Sequence, residues 1–457
     1  WQQPGARDWS AMKKQLISHE YQRTIGQNGL LLLTSYYTDL AYQTPGGLTL
    51  AQFKAKPFQA RPAAGAFLSS ADQQATFKLK SYGTGFYLQN SWNGNWGYNL
   101  ANSIQVNQIE NPTIRNYEIR HEPNFSSRAV IHYRQNKSAI DFGYEFQIGQ
   151  FDSQTFGNRR GVKDTLQLTQ NTNIQSANLF AQWDYQINKN WNSTISLSAN
   201  GYWTQYIGNE TNLTPRIAVV RKLGDRQRLV FKVASGYSPP SIAEMRPSTG
   251  IINTSLKAEK GWNKEISWRG NYSILDWDLN LYQFDLSETI VVRRAADGSD
   301  YFVNAGGTTQ QGIELGYRIQ IAKNIQLRNS ESIQNFRFNN YQSGTKDYSG
   351  NRLTGTSPFQ HASILEWDVL PKLSWTTQFL FTDQLFLNDA NTEILPSSRV
   401  WNSRIQFKQK HWEIWFAAEN LFDELYVSGP DLNAVGNRFY NAAPGRFFQT
   451  GLKIKIN

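Results

Sequence analysis

Residues 191–203 read WNSTISLSANGYW, and the odd and even positions of this stretch have different chemistry. The odd set is Trp191, Ser193, Ile195, Leu197, Ala199, Gly201 and Trp203; the even set is Asn192, Thr194, Ser196, Ser198, Asn200 and Tyr202. Successive side chains of a β-strand point to opposite faces. The stretch is therefore a ribbon with one apolar or small face and one polar face. The segment before it repeats the pattern, with Ala177, Leu179, Ala181, Trp183, Tyr185 and Ile187 opposed to Asn178, Gln182, Asp184 and Gln186. Further on, Ile313, Leu315, Tyr317, Ile319 and Ile321 oppose Glu314, Arg318 and Gln320, and Trp401, Ser403, Ile405 and Phe407 oppose Asn402, Arg404, Gln406 and Lys408. Each run covers about 10 residues, as a tilted transmembrane strand requires. Strands of soluble proteins run to about 5 or 6.

Composition agrees with strands and argues against helices as the membrane element. The chain has 457 residues, 39% of them hydrophobic, and a mean hydropathy of −0.56. Its longest aliphatic run, Leu30 to Leu33, falls far short of the roughly 20 apolar residues of a spanning helix. Rings are abundant, with 15 Trp, 22 Tyr and 26 Phe. Cys is absent, which excludes a disulfide framework and thiolate metal sites. The net charge of +10 suits anionic lipid head groups or anionic ligands. Lys and Arg are spread singly along the strands, with no basic arm, so no nucleic-acid partner is expected.

Turns and loops alternate. Tight connections are expected near Gly26–Gly29, Asn93–Asn95, Gln135–Lys137, Asn188–Asn190, Gly224–Asp225, Leu275–Asp276, Ala322–Asn324, Pro371–Lys372 and Lys410–His411. Longer irregular stretches are expected at Gln43–Gln74, Gln150–Gln175, Ser238–Lys260 and Thr345–Ser357. Short turns on one side and long loops on the other are the outer-membrane pattern. Trp191, Trp277, Trp375, Trp401 and Trp412 recur near the short turns, as an interfacial aromatic ring would. These signals predict an all-β transmembrane antiparallel barrel with about nineteen strands in this chain. The first, roughly Met12 to Gln22, runs into a short turn. Barrels of about 22 strands with a plugged lumen form a size class, and three upstream strands would complete it. Trp1 is then expected to be a truncation point within a longer protein, with residues 1–457 forming one barrel domain.

Several stretches resemble TonB-dependent outer-membrane receptors of the ferric-siderophore and ferric-citrate type. Thr38–Pro62, TDLAYQTPGGLTLAQFKAKPFQARP, is similar to the loop after an early hairpin of that family. Gly236–Gly261, GYSPPSIAEMRPSTGIINTSLKAEKG, resembles its long mid-barrel loop, although Ala258 stands where the family usually has Pro. Tyr301–Tyr317, YFVNAGGTTQQGIELGY, resembles the Asn-Ala-Gly element followed by Gly-x-Glu. Asn420–Tyr426, NLFDELY, and Ala443–Asn457, APGRFFQTGLKIKIN, resemble the penultimate and closing strands, the latter ending on Asn rather than an aromatic residue. The resemblance implies location in the outer membrane and import of a ferric chelate with energy from the TonB complex. It also implies a plug domain, which no segment of this chain resembles. Outer-membrane lipid and lipopolysaccharide are the further partners.

No catalytic constellation is evident, and no enzyme, cofactor or protein-bound metal is expected. His19, His121, His132, His361 and His411 lack metal-ligand spacing, and Gly46-Gly47 and Gly306-Gly307 lack the Lys-Ser/Thr pair of a phosphate loop. Ligand capture is the better reading. Arg presents a planar fork that binds carboxylates bidentately, and rings suit flat chelating groups. The candidates on the long-loop side are Arg159, Arg160, Arg246, Arg293, Arg294 and Tyr301. A glycan or vitamin importer of the same superfamily, a passive porin and a soluble β-rich module are the competing readings.

Overall fold

The structure, a computed structural model, describes residues 2–206, 210–246, 252–294 and 300–455. The chain divides into two compact units. The first comprises residues 1–217, 237–258 and 292–303, and the second residues 218–236, 259–291 and 304–457. In the first unit, β1 (Met12–Ile25), β2 (Gly29–Gln43), β3 (Thr76–Ser91), β4 (Trp96–Pro112), β5 (Asn116–Gln135), β6 (Ser138–Arg159), β7 (Val162–Asn188) and β8 (Trp191–Thr204) form a continuous antiparallel meander. The strands β9 (Glu210–Leu223) and β10 (Gln227–Ser238) have residues in both units. The second unit holds a second meander: β11 (Glu259–Tyr272), β12 (Leu275–Ser287), β13 (Gly307–Ala322), β14 (Ile325–Phe338), β15 (Phe359–Leu370), β16 (Leu373–Thr382), β17 (Ser398–Lys408), β18 (Trp412–Glu419) and β19 (Phe447–Ile454). Among the described residues, nineteen strands have eight residues or more, as the turn count predicts.

Each meander has the two faces that the alternation requires. In the second unit Ile266, Leu281, Ile313 and Ile333 stand opposite one another across four strands. Their exposures are 46%, 41%, 41% and 52%. The opposite face carries Glu265, Ser267, Asn280 and Glu314, joined by hydrogen bonds from Ser267 Oγ to Glu265 (3.0 Å) and to Asn280 (3.1 Å), and from Asn280 to Glu314 (3.3 Å). In water a continuous row of exposed isoleucines would be an aggregation surface. In hydrocarbon it is the favourable face, and the ladder leaves few backbone groups without a partner.

Register is pinned by rings laid over glycines. Trp277 lies directly across from Gly270, and a Cβ on Gly270 would approach the indole to 2.1 Å. Tyr282 covers Gly312 in the same way, at 2.4 Å. A one-residue slip would drive a side chain into each ring and would invert both faces of the sheet.

Eight of the nine expected short turns fall where they were placed. The ninth differs: β11 turns at Ser273-Ile274, and Leu275 and Asp276 already belong to β12, paired with Tyr272 and Asn271. A larger correction concerns Gln150–Gln175. This stretch is not a loop. β6 and β7 run on for 22 and 27 residues and turn only at Arg160-Gly161. The outward face of the extension is polar, with Gln150, Asp152 and Gln154 opposite Asn173, Asn171 and Thr169. The period-two signal disappears once both faces are polar, while the backbone ladder continues unchanged. Arg160 and Gly161 have φ of +52° and +81°, as a two-residue hairpin turn of the primed type requires.

Candidate functional site

The six candidate positions all belong to the first unit, at its long-loop end. The site is built on β5 and β6. Their register places Glu118 opposite Thr155 and Arg120 opposite Ser153, with Glu122 and Phe151 next along the same face. Ser153 and Thr155 are nearly inaccessible. Onto this face comes the segment after β10. It holds a short helix, α1 (Ile242–Met245), closed by a capping box in which Ser241 and Glu244 bond each other's backbone N–H. Arg246 follows at the helix end. Its guanidinium reaches Glu118 Oε1 at 2.5 Å and donates to Thr155 Oγ at 2.6 Å.

Glu118 is the hub of the cluster. It also accepts from Ser153 Oγ at 3.2 Å and lies 3.6 Å from the Arg120 guanidinium. Arg120 is held on its other side by Glu122 at 3.2 Å. Both guanidiniums lie over Phe151, each 5.8 Å from the ring centre, within the range of cation–π attraction. The arrangement is two cations, two carboxylates and one ring, locally neutral and largely withdrawn from water.

Arg159 and Arg160 sit four and five residues beyond Thr155, at the tip of the hairpin. The tip is pinned from outside. The Arg160 N–H donates to Gln73 Oε1 at 3.0 Å, and Asn158 Nδ2 donates to Gln73 O and Thr113 O at 2.9 and 2.6 Å. Gln73 belongs to the segment between β2 and β3, which also carries a short helix, Leu50–Ala55. The Arg159 side chain remains 78% exposed, with Asp164 3.9 Å away. An exposed guanidinium on a fixed backbone can meet an anion at small ordering cost.

Arg293 and Tyr301 lie on a two-stranded sheet, Ile290–Arg294 with Asp300–Asn304. Arg293 is half-buried, and Tyr301 is exposed. The Arg294 side chain and residues 295–299 lie outside the described residues. Asn253 links this sheet to the Arg246 segment: its side chain donates to Phe302 O at 2.9 Å and its N–H to Met245 O at 2.7 Å. The structure thus ties Arg246, Arg293 and Tyr301 together and holds Arg159 and Arg160 on the neighbouring hairpin. Sequence reasoning missed Glu118, Arg120, Glu122 and Phe151. The signal was present as Glu-x-Arg-x-Glu, alternating charge on one face of a strand.

Further along the same polar face, Tyr87, Ala101, Arg128, Glu145, Asn178 and Asn200 form one row across six strands. They line a cavity of about 550 Å³. Arg128 pairs with Glu145 at 3.1 Å, and Asn178 donates to Asn200 at 2.8 Å. The row is a polar wall able to hydrogen-bond an oxygen-rich solute. Among the described residues no group of three or more His, Asp or Glu could hold a metal ion.

A family model described as TonB dependent receptor-like, beta-barrel matches residues 18–421. Among solved structures, the chain is similar to the siderophore receptor PiuA from Acinetobacter baumannii, with a TM-score of 0.78 at 13% identity over 98% of this chain and 75% of that one. The ferric yersiniabactin uptake receptor FyuA from Yersinia pestis gives 0.80 at 12% identity, covering 97% and 71%. The ferric citrate transporter FecA, unliganded, gives 0.78 at 14% identity, covering 98% and 70%.

Proposed function

The chain belongs to the TonB-dependent receptor family, as an outer-membrane β-barrel, and from that membership we propose that it imports a ferric chelate captured at the long-loop end of its first unit. The observation that carries the reading is the pair Arg159 and Arg160, exposed on a hairpin tip whose backbone is fixed by Gln73 and Asn158. The unit has 23 Lys and Arg against 16 Asp and Glu, a surplus of seven. Such a field draws an anionic complex toward the two exposed guanidiniums. Structural neighbours that are siderophore and ferric citrate receptors support the chelate class.

On this reading Arg159 and Arg160 make the first contact, Arg293 and Tyr301 border the path, and the polar row of Arg128, Glu145, Asn178 and Asn200 lies beneath. The iron travels inside its chelate, so the protein supplies no ligand to it. The TonB complex supplies the energy for passage of the chelate. The barrel makes and breaks no covalent bond.

The test is binding of a ferric tricarboxylate complex to the full-length receptor, wild type and Arg159→Glu/Arg160→Glu. The expected loss is about tenfold or more. Unchanged binding removes this tip from the site. Binding of a neutral glycan or vitamin with no ferric chelate bound supports the other importers of the superfamily, and steady ion conductance through the intact protein in a planar bilayer supports a porin.

A further inference from the structure

The charge of the second unit is distributed very unevenly along its strands. Around its short turns and at its final strand end, in the windows 219–231, 268–279, 318–329, 366–377, 404–416 and 449–457, fourteen Lys and Arg face six Asp and Glu, a surplus of eight. The rest of the unit has nine against fourteen, a deficit of five. Four of the six acids are already paired: Asp276 with Arg318, Asp278 with Arg269, Glu366 with Arg328, and Glu413 with Arg404. The cations at the turn tips are a different set.

Lys323, Lys372 and Lys410 occupy the tips of three successive hairpins, all exposed. The hairpins are held side by side by backbone contacts. Asp368 N–H donates to Asn324 O at 2.9 Å, Lys408 N–H to Lys372 O at 2.9 Å, and Lys455 N–H to His411 O at 2.9 Å. Adjacent hairpins are two strand spacings apart, roughly 10 Å. One lysine therefore stands about every 10 Å along this edge. Arg226, at the tip between β9 and β10, is also exposed and lies 5.5 Å over the ring of Tyr272.

Aromatic rings fix the level of this edge. Trp268 and Trp277 meet edge to face at 5.2 Å, and Trp367 and Trp375 at 6.2 Å, each within about five residues of a turn. Rings of this kind settle at the head-group level of a bilayer. The lysine tips lie beyond them by the length of a turn, which is where lipid phosphates are. Short turns of outer-membrane barrels face the periplasm, so the leaflet concerned is the phospholipid one.

We propose that the short-turn edge of the second unit, through Arg226, Lys323, Lys372 and Lys410, is a docking surface for anionic phospholipid head groups. Cations at a membrane surface each favour anionic over zwitterionic lipid by about fivefold at most, and the effect falls off within a Debye length. Four of them along one edge give a selective lipid annulus rather than a single tight site. An acidic polypeptide is the other partner that such an edge could hold, but the flanking Trp rings favour lipid.

The experiment reconstitutes the full-length receptor in mixed vesicles and measures quenching of the interfacial tryptophans by brominated lipid. Brominated phosphatidylglycerol is compared with brominated phosphatidylcholine at equal mole fraction. The expected result is about threefold or greater enrichment of the anionic lipid at low salt, lost near 0.5 M NaCl, where the Debye length is roughly 4 Å. The variant Arg226→Gln/Lys323→Gln/Lys372→Gln/Lys410→Gln should lose the enrichment while keeping the heat-modifiable gel mobility of a folded barrel. Equal quenching by the two lipids overturns the proposal. So does enrichment that survives in the folded variant. Binding of soluble polyglutamate to the wild type and not to the variant, without lipid enrichment, assigns the edge to an acidic protein and likewise overturns it.

Discussion

The long-loop ends of the two units solve one problem in opposite ways. Every chain segment beyond the apolar band must satisfy its backbone polar groups. In the first unit, strand lengths grow from 14 residues in β1 to 27 in β7, and the ladder carries the backbone outward. In the second, β15 to β19 have 12, 10, 11, 8 and 8 residues. Their loops fold on one another instead.

The centre of those loops is Asp389, nearly buried. It accepts from Tyr341 Oη at 2.6 Å, Thr354 Oγ at 2.5 Å and Asn433 Nδ2 at 3.1 Å, while its own N–H and C=O are bonded by Asn433 and Asn351. Three loops meet at one carboxylate, beside a small core of Ala305, Phe338 and Tyr341. The charge contrast runs in parallel. Outside the windows 21–33, 87–100, 131–142 and 184–195 around its short turns, the first unit has 19 basic residues against 14 acidic, a surplus of five. The second unit has the deficit of five already given. A ladder uses only backbone groups and leaves its side chains available to a ligand. A side-chain network spends them on itself. The capture site proposed above accordingly lies at the ladder end.

The largest expected effect comes from removing the hub of the loop end. Asp389→Ala takes the acceptor from the buried Tyr341 hydroxyl, at a cost of about 1–3 kcal/mol, and from the half-buried Thr354 and Asn433 donors, which add less each. Limited proteolysis should then cut within 339–358 and 429–443, while heat-modifiable mobility persists. Loops that stay protected would show that the network is not their support.

The corresponding change at the ladder end is Glu118→Ala. It takes the carboxylate from Arg246, which keeps the Thr155 hydroxyl, while Arg120 keeps Glu122, and should cost about 3 kcal/mol, the lower end for breaking a buried pair. Amide exchange should rise in 239–246 and leave β5 and β6 protected. Exchange rising equally along β6 would mean that the ladder also depends on the cluster.

A smaller effect tests the glycine under the ring. Gly270→Ala forces Trp277 aside, and overpacking of this kind costs about 1–3 kcal/mol. The urea midpoint in lipid should fall, and ligand binding should not change. A variant as stable as wild type would remove the ring from any role in register.

The smallest concerns Asp347, in the exposed hairpin Gln342–Ser343 with Lys346–Asp347. The Ser349 hydroxyl and N–H hold its carboxyl below the usual range. A depressed carboxylate contributes above its unfolded pKa, about 3.9, and loses that contribution as pH falls through the folded value. Hairpin exchange, taken relative to the intrinsic base-catalysed rate at each pH, should therefore be flat from pH 8 to 5 and quicken only below about pH 4. An Asp347→Asn protein should show no such rise.

The band of the molecule was legible because its two faces differ in chemistry at period two. Trp191 to Trp203 could be assigned without any partner strand. Gln150–Gln175 could not, because both faces there are polar and the same residues suit a loop equally well. The candidate site divides in the same manner. Arg159 and Arg160 stand out in sequence as adjacent cations beside glycines. Nothing local connects Glu118 to Arg246, which are 128 residues apart.

The amino-acid sequence alone determined the strands, their number, their apolar side and the alternation of turns and loops, since each depends on neighbours within about 15 residues. Only the tertiary structure decided that β6 and β7 continue past the apolar band, that Arg246 is bound to Glu118, and that Asp389 gathers three loops. Those outcomes depend on which backbone groups and charges meet from distant segments, and local periodicity carries no record of such meetings.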